Sequence, residues 1–358
     1  MPGVYISYPF CAQKCTYCNF ASGVFQKEIA TAYPEALRAE LRATNWTWNP
    51  ATVYWGGGTP SQLDPEILRS IHREIPGAPW REATLEAAPG GITKEKAEAW
   101  RRAGINRVSL GVQSFITKEL ARTGRKHTAQ IVADEVTILR NAGLENFNID
   151  LIAGLPGQTS RSWSESLDWI ERINAPHVSV YMLEVDEDSR LGSEIIAFGK
   201  RYGAPEVPSE DQIAEFYEQA AERLAALGIE RYEISNFARP GRESVHNLKY
   251  WRREPYLGFG SDAHSFDGQT RWQNIESPSD YVSRLTAHES PIVSQSAADN
   301  QSEPYFLGLR LTEGIPISEV PENVKHFLTE GLLEQFEGRL RLTPRGILLS
   351  NEIFAEFV

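Results

Sequence analysis

From residue 1 to about residue 240 the sequence alternates short runs of strand character with longer runs of helical periodicity. That rhythm restricts the fold more than any other feature. Strand candidates, rich in β-branched and aromatic residues, are Val4–Tyr8, Thr52–Trp55, Thr84–Ala87, Arg107–Gly111, Asn146–Ile152 and Val178–Leu183. Helical patterns fall at Ile29–Arg42, Glu66–Glu74, Lys94–Ala103, Gln130–Asn141 and Trp163–Ile173, with glycine stops at Ala103-Gly104 and Ala142-Gly143. Crossovers of one hand join such units into a parallel sheet, and six of them predict an α/β fold whose sheet is rolled rather than flat. Sites in these folds gather at the C-terminal ends of the strands. The loops after the strands are therefore the place to look for chemistry.

The loop after the first strand holds every cysteine in the chain, Cys11, Cys15 and Cys18, within eight residues. A disulfide framework fits poorly, because the count is odd and the spacing too short to brace a domain of this size. A tetrahedral zinc site would need a fourth ligand, and paired C-x2-C motifs a dozen or more residues apart are absent. An iron–sulfur cluster takes thiolates as its normal ligands, and one short loop can bring three of them round one face of a cube. One iron would then lack a protein ligand and be open to a small molecule.

Neighbouring loops are unusual as well. Trp55-Gly56-Gly57-Gly58-Thr59-Pro60-Ser61 follows the second strand, where glycines allow close approach of the backbone to a ligand and offer its N–H groups. Glu86 and Asp150 are acids set among apolar strand residues, and a buried carboxylate needs a partner such as an ammonium or hydroxyl group. Gln113 and Arg125 follow the fourth strand.

The C-x3-C-x2-C spacing after an N-terminal strand, with Tyr17 just before the last cysteine, resembles the signature of the radical S-adenosylmethionine (SAM) superfamily. That resemblance implies a partial (βα)6 barrel, a [4Fe-4S] cluster on Cys11, Cys15 and Cys18, and SAM chelating the fourth iron. Within the superfamily the whole run of motifs is similar to the oxygen-independent coproporphyrinogen dehydrogenases and their relatives, the HemW-like haem chaperones. The resemblance implies SAM contacts at Tyr5, Tyr17, Gly57, Gly58, Thr59 and Glu86, and polar positions at the barrel mouth at Gln113, Arg125 and Asp150.

Glu210–Leu227 reads as an amphipathic helix with Ile213, Phe216, Tyr217, Ala220, Leu224 and Leu227 on its core face. After it comes His246-Asn247-Leu248-Lys249-Tyr250-Trp251, an H-N-x-x-Y-W run that matches the haem chaperones. His246 is there expected as a haem ligand, with Tyr250 and Trp251 packing on the porphyrin. Leu257 to Ser265 resembles the family's glycine-rich segment closing the mouth, with Asp262 where relatives carry a smaller residue. The expected division is a barrel over 1–240, a closing segment over 241–277 and a small helical, winged-helix-like domain over 278–358. In that last part Tyr305–Leu311, Val324–Phe336 and Ile347–Phe354 read as helical and Leu340–Thr343 as a strand.

Lys+Arg 36 against Asp+Glu 48 gives a net charge of -12, which argues against a nucleic-acid partner, and the C-terminal part carries no basic stripe. No apolar run reaches the length of a membrane span, and Met1-Pro2-Gly3 leads straight into the first strand without a signal peptide, so a cytoplasmic location is expected, peripheral to the membrane when haem is delivered. The dehydrogenases carry a fourth cysteine where this chain has Phe20, and a longer N-terminal segment. Together with the H-N-x-x-Y-W run, this favours a haem chaperone with haem as cargo over oxidation of coproporphyrinogen III to protoporphyrinogen IX. The expected partners are haem, acceptor haem proteins such as membrane respiratory enzymes, and a protein that reduces the cluster. Whether the chain forms a homodimer is left open.

Overall fold

The structure, a computed structural model, describes residues 1–318 and 320–357. Six strands run parallel in chain order: β1 (Gly3–Tyr8), β2 (Thr52–Gly57), β3 (Glu82–Ala87), β4 (Arg107–Gln113), β5 (Asn146–Ala153) and β6 (His177–Met182). Two short strands, β7 (Glu230–Arg231) and β8 (Asn236–Ala238), extend the β6 edge antiparallel. A seventh parallel strand, β9 (Tyr256–Phe259), pairs with the other side of β1. Beyond it β10 (His264–Phe266), β11 (Thr270–Asn274) and β12 (Ile292–Ala297) continue antiparallel, so the described residues form one twelve-stranded sheet, open between β12 and β7. The six expected βα units and the open partial barrel are present. The sequence reading missed β9, whose four residues include a glycine and carry little strand signal.

Alternate residues of each strand face opposite sides of the sheet, and the two sides differ sharply. Val53, Trp55, Leu85, Val108, Leu110, Phe147, Ile149, Val178 and Val180 are buried in the apolar core beneath the helices. Their neighbours on the inner side are Tyr54, Glu86, Arg107, Ser109, Asn148, Asp150 and Ser179. The barrel interior is therefore polar, and the core lies outside it. A typical outer helix shows why: Ser160–Arg172 starts with a Thr159–Ser162 capping box and turns Trp163, Leu167 and Ile170 inward at helical spacing. The Trp163 indole also donates to the Phe216 carbonyl at 2.7 Å, locking that helix to Glu210–Ala226.

The large sheet runs to Ala297, so the C-terminal unit begins about twenty residues later than the expected boundary at 278. The helix Pro278–Thr286 belongs to the barrel: the Tyr281 ring packs tilted against Tyr33, 5.1 Å between centroids, and its hydroxyl donates to Glu40 of the Lys27–Ala43 helix at 2.6 Å. The C-terminal unit carries a three-stranded antiparallel sheet, β13 (Ile315–Pro316), β14 (Leu333–Phe336) and β15 (Arg339–Leu342), in the order β13-β15-β14. Residues 333–336, expected as the end of a helix, are a strand. Gly331 at φ +71° stops the helix Lys325–Thr329, and Glu337 and Gly338, both left-handed, turn β14 back onto β15. Short helices at Glu303–Gly308, Pro344–Leu348 and Ser350–Ala355 complete a winged-helix-like unit. No helix among the described residues is long and apolar enough to cross a membrane.

Candidate functional site

At the C-terminal ends of the parallel strands the chain after β1 forms a closed loop. Cys11 N–H donates to the Gly23 carbonyl at 2.8 Å, and Gly23 N–H to Pro9 at 2.9 Å, so residues 11–23 leave and rejoin the barrel at one neck. The loop is pinned on its far side too: Thr16 N–H donates to Thr123, and Thr16 accepts from Leu191 N–H. All three cysteines are half-buried free thiols. Burial pushes the Cys11 thiol up, while hydrogen bonds with Thr59 and Ser22 pull it down. Among the described residues no three His, Cys, Asp or Glu side chains converge on a position for one metal ion.

The glycine-rich loop packs directly on this neck. Gly58 N–H donates to the Tyr8 carbonyl and Thr59 N–H to Phe10, at 2.8 and 2.9 Å, and Gly57 N–H points to the Glu86 carboxylate. These donors, expected to be offered to a ligand, are thus engaged by the chain itself. A Cβ on Gly58 would lie 2.7 Å from the Phe10 oxygen and the Pro9 carbonyl carbon, both backbone atoms that cannot step aside. Gly58→Ala should therefore lower stability by about 1–3 kcal/mol, read as a lower urea midpoint. Gly91→Ala, whose Cβ would meet nothing within 4 Å, is the control.

Inside the barrel Tyr5, Tyr54, Glu86 and Asp150 keep part of their surface open to the interior. Tyr54 donates to Glu86 at 2.9 Å. Asp150 accepts from the Asn148 amide at 2.7 Å, and that amide also reaches Ser109 and Ser179. Burial, then the nearby Asp150 charge, push the Glu86 carboxyl up to about 7. Burial raises Asp150 as well, against hydrogen bonds from Ser179 and Asn148. Gln113 and Arg125 meet at the rim: Gln113 has φ +70°, and Arg125 Nη1 donates to Gly111 at 2.6 Å. Arg125 also lies beside Tyr17 and Cys15. The Tyr17 hydroxyl faces the Arg125 guanidinium, and Gln113 Oε1 and Arg125 Nε are buried without a hydrogen-bond partner among the described residues. Such atoms are rare and mark a place where a polar ligand fits.

His246, Tyr250 and Trp251 lie elsewhere. Their helix, Val245–Trp251, docks under the N-terminal ends of β1–β3, about 20 Å of strand away from the cysteines. Glu82 at the start of β3 accepts from the N–H groups of Val245 and His246 at 2.9 Å, seating the helix. His246 is fully buried, with Nδ1 2.8 Å from Thr52 Oγ1 and Nε2 2.8 Å from the Tyr250 hydroxyl. Its ring stacks on Tyr54, and burial lowers its pKa to about 3, so it is a neutral plug in the barrel floor. Tyr250 packs edge-on to Tyr256, and the Arg310 guanidinium covers Trp251 at 4.6 Å. The residues expected to take haem, His246 with Tyr250 and Trp251, are packed into the fold in this structure. Both ring nitrogens are committed, and the rings are packed against protein.

With this geometry in hand, the likeness to known proteins is decisive. Residues 5–170 match the Radical SAM superfamily, and residues 296–349 match the HemN C-terminal domain. Over its full length the chain is 34% identical to "Heme chaperone HemW" of Bacillus subtilis (strain 168), covering 99% of that protein. The chain belongs to the HemW family. It is 35% identical to the HemW of Mycobacterium tuberculosis (strain H37Rv), with 98% of this chain and 93% of that protein covered. The solved coproporphyrinogen III oxidase HemN of Escherichia coli shares the fold, with a TM-score of 0.84 over 99% of this chain and 90% of that one, at 22% identity.

Two features of this HemW chain stand out beyond the expected set. Phe20, at the fourth-cysteine position, is 67% exposed and points away from the core. Arg107, by contrast, is 1% exposed on the inner side of β4, and its Nε has no partner. Its charge acts on Glu86, Asp150, His177 and His246 together. Sequence reading passed over Arg107, although a signal was present. Arg107-Val108-Ser109-Leu110 and Asn146-Phe147-Asn148-Ile149-Asp150 alternate polar and apolar residues in strands whose outer face is covered by helices. That alternation calls for a polar interior.

Proposed function

We propose that this chain is a haem chaperone: it binds haem and hands it to acceptor haem proteins, with a [4Fe-4S] cluster on Cys11, Cys15 and Cys18 and SAM bound beside it. The observation that carries the reading is the full-length match to the B. subtilis haem chaperone. Phe20 in place of a further cysteine supports the chaperone over porphyrinogen oxidation. Acceptors in respiratory membranes and a protein reductant for the cluster are part of the same proposal.

The residues fit these groups. Three free, half-buried thiols in one pinned loop are a soft donor set suited to iron–sulfur ligation. Gln113 Oε1 and Arg125 Nε, unpartnered among the described residues, offer hydrogen bonds to a polar molecule beside that loop, with the Tyr17 hydroxyl next to them. SAM would be held among Tyr5, Tyr17, Gly57, Gly58, Thr59, Glu86, Gln113, Arg125 and Asp150. Reduced, the cluster supplies the single electron that splits SAM. The chain's own part is to keep the site polar and acidic: Glu86 and Asp150 supply negative charge for the SAM ammonium and hydroxyls, and Arg107 stands beneath them as the countercharge.

A pH dependence follows. The Glu86 carboxyl sits above its ordinary value of 4.5, at about 7, so it holds its proton until pH rises through that value. A cationic ligand at Glu86 should therefore bind roughly tenfold more tightly near pH 8 than near pH 6. Equilibrium dialysis with labelled SAM checks this, and Glu86→Gln should bind weakly with a flat profile. A flat profile in the wild type would remove Glu86 from the SAM site. The chaperone reading itself is tested by mixing the haem-loaded chain with an apo-haem protein and following the visible spectrum. Haem should pass to the acceptor faster than it does from free solution; equal rates would contradict the reading.

A further inference from the structure

The H-N-x-x-Y-W motif ends in Trp251, whose surroundings raise a separate question. Over its ring lies Arg310, at 4.6 Å, with Phe354 of the C-terminal unit on another side at 5.5 Å. The guanidinium is thus fixed by two rings from different parts of the fold, an arrangement that suits a planar cation. Its Nε is buried without a hydrogen-bond partner. Glu233 and Glu184 are near enough to act on its charge. Glu233 accepts from Ser235 N–H and the Asn236 amide on Oε1 and makes no ion pair with Arg310 among the described residues.

Arg310 lines a cavity of about 300 Å³ between the barrel and the C-terminal unit. Two further cations, Arg231 and Arg341, line it too, and its walls include Leu309, Leu311 and Ile347. Arg341 is paired with Glu334 at 2.7 Å. Among the described residues Arg310 forms no ion pair of that kind, and its Nε is left without a partner. A domain junction is a usual place for a small-molecule site, and the lining here is mixed, with Glu233 and Glu334 beside the three arginines and an apolar wall behind them. Its charged groups set the ligand's chemistry. A guanidinium fork with open donors matches a carboxylate, which can accept two parallel hydrogen bonds.

We propose that this cleft binds the carboxylate arms of an apolar ligand, and that Arg310 is the residue that receives them. The haem propionates are the carboxylates in question, an assignment that rests on the chaperone reading above. In this arrangement Trp251 contributes by holding Arg310 in place, which gives the end of the motif a role in cargo binding. The propionate contact also joins the C-terminal unit to the cargo, since Phe354 and Arg341 belong to that unit.

The test uses the full chain with haem and with haem dimethyl ester, whose carboxylates are blocked. Wild type should bind haem at least about tenfold more tightly than the ester, the usual weight of a hydrogen bond to a charged group. Arg310→Met should lose that margin while its affinity for the ester stays the same, and Arg310→Lys, which keeps the charge, should retain part of it. Arg341→Met should keep most of the margin, because Glu334 already holds that side chain. Equal binding of haem and ester by the wild type would overturn the proposal without reference to any variant. An Arg310→Met loss that falls equally on both ligands would overturn it as well. A wild type that binds neither ligand would remove the chaperone reading and this assignment with it, whereas haem binding without an ester margin would leave the chaperone reading intact and remove only the cleft.

Discussion

Cys15→Ala is expected to abolish cluster assembly while leaving the fold standing. Cys15 sits in the turn closed by Cys18 N–H onto its carbonyl at 3.4 Å, with Tyr17 and Arg125 against it, so no neighbouring side chain can take over as a soft ligand. Two remaining thiolates cannot hold three irons. The side chain itself is half-buried and its loop is pinned by backbone hydrogen bonds that do not involve the thiol, so the loss of fold stability should stay within about 1 kcal/mol. Iron and acid-labile sulfide per chain after anaerobic reconstitution give the readout, with a urea melt beside them. A variant that kept the wild-type iron content would show that Cys15 is not a cluster ligand.

His246→Ala should have the opposite profile, a large loss of stability with cluster assembly unchanged in the folded fraction. The ring is fully buried, stacks on Tyr54 and bonds to Thr52 and Tyr250 at 2.8 Å on each nitrogen. Truncation leaves a cavity beneath the barrel floor and two buried hydroxyls without partners, together costing about 2–4 kcal/mol. Gly3 sits against the same ring, where a Cβ would lie 3.2 Å from His246 Cε1, so the surroundings are shaped to this side chain. His246→Gln, which can reach one of the two hydroxyls, should recover part of the loss. The measurement is the urea midpoint of each variant. If His246→Ala melted with wild-type stability but lost haem binding, the plug would be wrong and the original haem-ligand expectation right.

The contrast between these two sites shows what could be read from residue order alone. The βα alternation placed β1 to β6 within a residue or two, because each is a short β-rich run bounded by a glycine or proline. The cysteine loop was equally legible, since spacing within one loop translates directly into proximity. Where a side chain's role depended on which end of a strand its helix docks against, the pattern gave no guidance. The H-N-x-x-Y-W helix is such a case: its seat is fixed by Glu82, Thr52 and Gly3, residues far away in the chain. A further reason for a glycine at position 58 was not legible: it is small to admit Pro9 and Phe10 of the same chain. Arg107 escaped because an arginine in an apolar run looks like a strand edge until its register beside Thr84 and Asn146 turns it inward.

Asp262 illustrates a departure from the family that the structure explains. It takes φ +58°, a left-handed conformation that a glycine adopts freely and that aspartate tolerates better than most residues. The carboxylate accepts from the Gln273 amide at 2.9 Å, which offsets part of the strain. The turn after β9 can therefore keep its shape with the larger residue in it.

The central claim is that a porphyrin-related radical SAM fold here carries haem instead of converting a porphyrinogen. The most direct measurement is anaerobic incubation of the reconstituted chain with reductant, SAM and coproporphyrinogen III, followed by chromatography of the tetrapyrroles, with haem titrated into the same preparation. Stoichiometric haem binding with coproporphyrinogen III left unchanged is the predicted result. Protoporphyrinogen IX formed over repeated turnovers would contradict it.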